Sequence, residues 1–128
     1  MSCWGTGDLQ QYDVSDPFNP KLTGKVRIGG IVSRAAHPAG DGPLTGGPQM
    51  VEVSRDGKRI YFTNSLYGAI DPQFYPEGIE GWMVKVDANP EGGLTLDEGF
   101  FLRWPDGYRP HQVRLQGGDA SSDSYCYP

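Results

Sequence analysis

The sequence predicts an all-β fold built from short antiparallel strands joined by many turns. Its 128 residues include 19 glycines and 11 prolines, well above the share in an average soluble protein. Aromatic residues make up 12% of the chain, whereas disordered chains are poor in them. Proline or glycine interrupts almost every window long enough for a helix, so no helix is predicted. A chain of this length is expected to form one domain with one core.

The clearest local signal is MVEVSRDGKRIYFTNS, residues 50–65. Met50 to Val53 and Arg59 to Thr63 are rich in β-branched and aromatic residues, which favour strands. Between them, Asp56-Gly57 supplies the positive-φ turn of a tight hairpin. The segment is therefore predicted to be a β-hairpin with a two-residue or similarly short turn.

A faint internal repeat extends this hairpin into a larger unit. LQQYDVSDPFNPKLTGKVRI (9–28) and WMVKVDANPEGGLTLDEGFF (82–101) share an apolar strand, an Asp, a Pro-containing turn and a Leu-Thr pair that opens another strand. The matching residues are Asp13, Pro17, Leu22 and Thr23 in the first copy and Asp87, Pro90, Leu94 and Thr95 in the second. With the 50–65 hairpin before the second copy, the unit is four strands. A repeating four-stranded antiparallel sheet is typical of a β-propeller blade.

This unit predicts how the chain is organised. Residues 1–28 are predicted to be an incomplete blade with strands at Ser2–Trp4, Leu9–Val14 and Lys21–Ile28, and residues 48–104 a complete one. Residues 109–128 are predicted to supply the first strand of a closing blade and a C-terminal loop, and residues 31–47 and 67–81 two loop insertions. Because a propeller closes with at least four blades, and this chain holds roughly one and a half to two, the prediction is a fragment.

Charge and composition exclude several classes of protein. The net charge is −5, and no cluster of Lys and Arg exceeds two or three residues, so a nucleic-acid partner is not expected. No apolar run reaches the length of a membrane span, and residues 1–20 lack the apolar core of a signal peptide. We expect a soluble protein of the cytoplasm or periplasm. Cys3 and Cys126 could form one bridge, but a single pair is no disulfide framework.

Four motifs carry a resemblance to a known family. They are SCWGTGDLQQYDVSDP (2–17), GGPQMVEVSRDGKRIYFTNSLY (46–67), DPQFYPEG (71–78) and HQVRLQGGDASSDSYC (111–126). In this order they resemble the C-terminal part of the selenium-binding proteins, whose characterised members are methanethiol oxidases. The resemblance implies a β-propeller several times longer than this chain, so the chain is expected to be its C-terminal fragment.

The resemblance also implies an activity and a cofactor. The intact protein would oxidise methanethiol, a small thiol, to formaldehyde, hydrogen sulfide and hydrogen peroxide with copper held by histidines near the propeller axis. The family's selenium-linked cysteine lies outside this chain, so selenium is a possible ligand that neither Cys3 nor Cys126 would inherit by position. The chain alone, without the remaining blades as partners, is expected to be inactive. The alternative is a non-catalytic propeller module that binds selenium, sulfhydryl compounds or partner proteins in trafficking.

His111 is the one candidate metal ligand. It begins the isolated first strand after residue 108, and first strands line the central channel of a propeller. A neutral imidazole suits copper, and Asp119 is a possible second donor. The other interpretation is a structural histidine that bonds a neighbouring loop. One imidazole alone cannot hold copper tightly.

The remaining candidates are assigned structural roles. His37, in the loop AAHPAGDGP, is expected at the surface. One loop can either lie against the channel mouth and position His111 or close the last blade, and closure is favoured. Its spacing lacks a calcium-loop pattern, so calcium is not expected. The residues of this loop are Gly117, Gly118, Asp119, Ser121, Ser122 and Asp123. Cys126 is expected to be chemically inert, and Cys3 is expected to lie in the hydrophobic core. The aromatic residues are expected to pack between sheets: Trp82, Trp104, Phe74, Tyr75 and Tyr67.

Overall fold

In the residues that it describes, the structure, a computed structural model, contains two antiparallel β-sheets and one turn of helix. It describes residues 1–32, 34–64, 69–104, 107–111 and 117. The predicted all-β class is confirmed, and the two sheets have three and four strands. Within these described ranges, no helix is long and apolar enough to cross a membrane.

The three-stranded sheet comprises β1 (Ser2–Cys3), β2 (Asp8–Asp13) and β3 (Lys21–Arg27), in that order. These strands agree with the three predicted for residues 1–28. The β2–β3 hairpin contains a register shift between Gln11 and Tyr12. Asp13 and Asp16 shape its long turn, because their carboxylates accept hydrogen bonds from the backbone N–H groups of Ser15 and Phe18.

The four-stranded sheet comprises β4 (Pro48–Val53), β5 (Arg59–Asn64), β6 (Gly81–Ala88) and β7 (Leu94–Trp104), in sequence order. The predicted hairpin is β4–β5, and its turn is closed by a 2.8 Å bond from the Gly57 N–H to the Ser54 carbonyl. Gly57 has φ +72°, which favours glycine. The Asp56 carboxylate accepts hydrogen bonds from the Ser54 hydroxyl and the Lys58 N–H. The second copy of the repeat forms β6–β7, so both copies are hairpins.

The hydrophobic core lies between the two sheets. Alternation along β5 places Ile60 and Phe62 on the face that packs with Trp82 of β6 and with Leu9 of β2. Phe62, Trp82 and Leu9 are all fully buried. Complete burial of such side chains contributes about 1.5–3 kcal/mol each, so this layer joins the sheets into one unit. The opposite face of the four-stranded sheet carries a second cluster around Tyr61 and Met83.

One expectation about secondary structure is wrong. Residues Asp71–Phe74 form a single helical turn, α1, where no helix was predicted. Pro72 lies in the first turn of α1. Backbone N–H groups in a first turn have no partner within the helix, so the N–H that proline lacks is not missed there. The predicted first strand of a closing blade, residues 109–116, lies largely outside the described residues. The division into propeller blades remains a prediction.

Candidate functional site

Most of the loops meet at one end of the four-stranded sheet, which we call the loop end. Here β4 begins at Pro48, β5 ends at Asn64, β6 begins at Gly81 and β7 ends at Trp104. The predicted insertion 31–47 enters β4 at this end, residues 69–80 lead into β6 here, and residues 107–111 lie against the start of β6. The loop end is therefore the region where side chains from distant parts of the sequence meet.

Asn64 is the buried hydrogen-bonding centre of the loop end. Its Nδ2 donates to the backbone carbonyls of Thr45 at 3.1 Å and Glu80 at 2.6 Å, and its Oδ1 accepts from the Trp82 N–H at 3.0 Å. The Trp82 indole N–H donates to the same Thr45 carbonyl at 2.7 Å. Because a buried amide is costly unless its groups are bonded, Asn64 fixes both loops relative to β5 and β6.

The segment that carries His111 is held by two contacts. The Asp71 carboxylate, at the first position of α1, accepts a 2.6 Å hydrogen bond from Arg109 Nη1, and its side chain is 1% exposed. Gly81 lets the same segment lie close against β6, since a Cβ there would be 2.5 Å from the Tyr108 carbonyl and 2.9 Å from Pro110 Cδ. His111 follows directly and is exposed at the loop end.

Beside this segment, the turn after α1 is anchored by Tyr75. The Tyr75 side chain is buried, and the guanidinium of Arg34 lies 4.7 Å from its ring centroid. Burial raises the pKa of the Tyr75 phenol, so this group is neutral at physiological pH. Phe74 instead is 40% exposed and meets Trp4 edge to face at 5.9 Å, so its predicted place between sheets is wrong.

His37 corrects a second expectation. Instead of lying on the surface, its side chain is 2% exposed and stacks on Phe101 at 4.7 Å, with Nδ1 accepting from the Ala39 N–H at 3.1 Å. Burial lowers the pKa of His37, although the nearby backbone and carboxylate of Asp97 act in the opposite direction. Arg103 lies over the Phe101 ring at 5.3 Å. The aromatic stack binds the 31–47 loop to β7.

A small cleft opens next to this stack. Its volume is about 320 Å³, and it is lined by Leu44, Ile79, Trp82 and Phe101 with Glu80 and Arg103 among its polar groups. Arg103 is 3.1 Å from the Asp41 carboxylate and 3.8 Å from that of Glu80, so its charge is already balanced.

The described residues do not form a complete metal site. No three of their His, Cys, Asp and Glu side chains lie close enough together to hold an ion. His111 is exposed and can offer one imidazole nitrogen. Asp119, Cys126 and Tyr67 lie outside the described residues, as does the 117–123 loop apart from Gly117. Cys3 is half-buried and has a free thiol. Trp82 packs between the sheets as predicted. Tyr75 is instead buried at the loop end, and Trp104 is half-buried on the opposite face of the four-stranded sheet.

The sequence did not reveal the two residues that hold the loops together at the loop end, Asp71 and Asn64. Neither Asp71 nor Asn64 was singled out, because a lone Asp before a proline or a lone Asn after a strand is common in loops. The closest available signal was the DPQF stretch, where an Asp next to Pro72 marks the start of a helical turn. Nothing local relates that Asp to Arg109 beyond β6 and β7.

Comparison with known proteins agrees with the resemblance. The family model of the 56 kDa selenium binding proteins (SBP56) matches residues 1–126. The chain belongs to this family. It is 42% identical to a human methanethiol oxidase over 96% of the chain and 31% of that protein. It is 40% identical to selenium-binding protein 1 of Arabidopsis thaliana over 94% of the chain and 29% of that protein.

A solved structure has a similar fold. The X-ray structure of a hypothetical selenium-binding protein from Sulfolobus tokodaii is 64% identical, with a TM-score of 0.86 over 99% of this chain and 28% of that one. The chain thus spans about 30% of the length of the relatives that it matches.

Proposed function

We propose that the chain serves, together with propeller blades that it does not contain, in the copper-dependent oxidation of methanethiol. The observation that carries this proposal is the 42% identity to a human methanethiol oxidase across 96% of the chain. Relatives of the same name in Xenopus tropicalis and Xenopus laevis match at 40% and 38% identity. The similarity extends through the segments that build the loop end.

The proposed reaction is a two-electron oxidation. Methanethiol loses two electrons at carbon, its C–S bond breaks to release hydrogen sulfide, and water supplies the oxygen of formaldehyde. Dioxygen accepts the two electrons and, with two protons, becomes hydrogen peroxide. Copper supplies redox chemistry when it is bound. This chain would contribute His111 as one ligand, and the other ligands would come from outside its described residues.

The exposure and placement of His111 support this role. An imidazole that other blades can reach must be exposed in the isolated chain, and His111 is exposed. The backbone before it is fixed by the Asp71–Arg109 ion pair. A fixed ligand loses less freedom on binding a metal than one on a free terminus.

A selenium-binding module is the second candidate function. The Arabidopsis thaliana relatives named selenium-binding proteins 1, 2 and 3 match at 39–40% identity, as closely as some of the oxidases. The two candidates differ in what they turn over. A binding module would retain selenium without consuming oxygen, whereas an oxidase releases formaldehyde and peroxide.

A segment exchange tests the proposal. We would replace the matching segment of the human methanethiol oxidase with this chain and measure formaldehyde, hydrogen sulfide and bound copper. Retained copper and turnover are expected, and a folded, copper-loaded protein without turnover would contradict the proposal. The 64% identical Sulfolobus tokodaii protein serves as a second host for the copper measurement. Selenium bound to a folded, inactive hybrid would favour the binding module.

A further inference from the structure

Asp71 is a buried charge at the loop end. Its side chain is 1% exposed, and its Oδ2 lies 2.6 Å from Arg109 Nη1. A carboxylate taken out of water requires partners of opposite charge or strong hydrogen-bond donors, because it loses the stabilising interaction of its charge with water. The Arg109 side chain is 28% exposed. The ion pair therefore ties Arg109, which lies near the surface, to the buried Asp71.

The position of Asp71 is itself fixed by the helical turn. Its backbone carbonyl accepts a 2.8 Å hydrogen bond from the Tyr75 N–H, and Tyr75 is a buried anchor. Gly81 also allows the backbone of Tyr108 to Pro110 to lie directly on β6. The segment before His111 is therefore held by a side-chain ion pair and by close backbone packing.

We infer that Asp71 is a positioning residue, which through Arg109 fixes the Pro110–His111 backbone and so presents the His111 imidazole in one place. This inference rests on the function proposed above, in which His111 is a copper ligand. Asp71 does not touch the metal in this scheme. It reduces the freedom of a ligand that lies two residues beyond its ion-pair partner.

Limited proteolysis of the full chain provides a readout that is independent of copper. Chymotrypsin cleaves after exposed aromatic residues in segments that open locally, so its rate reports how often the segment is free. Tyr108 is 67% exposed and Phe18, at the tip of the β2–β3 hairpin, is 97% exposed. Both are followed two residues later by a proline, Pro110 and Pro20, which makes Phe18 a matched internal reference.

In Asp71→Asn we expect cleavage after Tyr108 to rise by about tenfold relative to cleavage after Phe18. Arg109→Gln, which alters the less buried partner, should give the same change if Asp71→Asn folds poorly; because residue 109 follows the cleaved bond, its ratio is divided by the ratio for the same variant when denatured. Arg109→Lys keeps the charge and should restore part of the protection. Val86→Ala, a core variant, lowers stability throughout and should accelerate both cleavages together.

Measuring bound copper distinguishes a role of Asp71 in positioning His111 from a role in stability alone. In a full-length relative loaded with Cu²⁺, replacing the Asp that matches Asp71 with Asn should lower bound copper severalfold, and Glu should restore it in part. An unchanged cleavage ratio in both Asp71→Asn and Arg109→Gln would overturn the inference. A raised ratio with full copper content in the Asp71 variant would also overturn it, where the matching His variant loses its copper. If the ratio rises but the matching His variant keeps its copper, the function proposed for His111 fails while the anchoring by Asp71 stands.

Discussion

Gln11 of β2 holds the turn between β6 and β7 with both ends of its side-chain amide. Its Nε2 donates to the Asn89 carbonyl at 2.9 Å, and its Oε1 accepts from the Gly93 N–H at 2.9 Å. Gly24 on β3 leaves room for this contact, since a Cβ there would lie 3.1 Å from the Gly93 backbone. The two copies of the repeat are thus joined directly, at the end of the sheets opposite the loop end.

We expect Gln11→Ala to lower the free energy of unfolding by about 1–2 kcal/mol, because two hydrogen bonds between the sheets are lost. Chemical denaturation followed by tryptophan fluorescence measures this change. Gln10→Ala is the control, since the Gln10 side chain accepts only a local bond from the exposed Tyr12 hydroxyl. Equal effects of the two variants would show that the contact between the sheets contributes nothing.

Asn64 is expected to be the most sensitive polar residue of the loop end. Asn64→Ala leaves the Trp82 N–H and the carbonyls of Thr45 and Glu80 without that partner, which should cost about 3 kcal/mol. Asn89→Ala is a matched control at an exposed turn, where the side chain accepts one bond from Glu91. Thermal melts of both variants provide the comparison. A loss no larger in Asn64→Ala than in Asn89→Ala would contradict the role of Asn64.

His37 makes the stability of the fold depend on pH. Burial lowers its pKa below the ordinary value of 6.5, so the unfolded chain takes up a proton before the folded one does. The contribution of His37 to the free energy of unfolding is therefore fully present above pH 6.5. It is lost as the pH falls from there through the pKa of His37 in the folded state. The lowered pKa values of Asp13, Asp56 and Asp97 act in a separate window, below their ordinary value of 3.8.

Denaturation at pH 7.5 and pH 5.5 measures this dependence. His37→Gln, which stays neutral throughout, should reduce the loss of stability between these two conditions. A pH dependence that survives unchanged in His37→Gln would show that another group is responsible.

Close packing at Gly81 is a further test of how the His111 segment is held. In Gly81→Ala the new Cβ would clash with the Tyr108 carbonyl and Pro110, so the segment must move or β6 must shift. We expect a loss of stability of about 1–3 kcal/mol and faster chymotryptic cleavage after Tyr108. Gly5→Ala is the control, because no atom lies within 4 Å of a Cβ built there. Similar behaviour of the two variants would contradict the close contact.

The sequence predicted those features that depend on neighbouring residues and missed those that depend on distant ones. The β4–β5 hairpin was predictable because Asp56 and Gly57 determine their own turn. The repeat around Asp13 and Asp87 likewise predicted two hairpins. His37 was placed wrongly because its burial depends on Phe101, which belongs to a different sheet element. The loop surrounding it is rich in Gly and Pro, a composition that indicates irregular backbone but not whether a side chain is covered.

Of the residues at the candidate site, the sequence singled out only His111, and its role as a metal ligand stays a prediction. His111 was recognisable as a metal-binding residue type in a motif shared with a family. The Asp71–Arg109 pair was not, because charged residues are common in loops and the two are separated in sequence by β6 and β7. Ion pairs between distant segments become visible only when the fold brings their elements together.

The most direct test of the account is to replace the histidine that matches His111 with alanine in a full-length methanethiol oxidase. Bound copper and the release of formaldehyde from methanethiol would then be measured side by side, with the His37 match replaced as a control. We predict that the His111 variant loses most of its copper and its activity together, because removing one of a few ligands opens the coordination sphere. Unchanged copper content and an unchanged rate would contradict the assignment and leave His111 a structural residue.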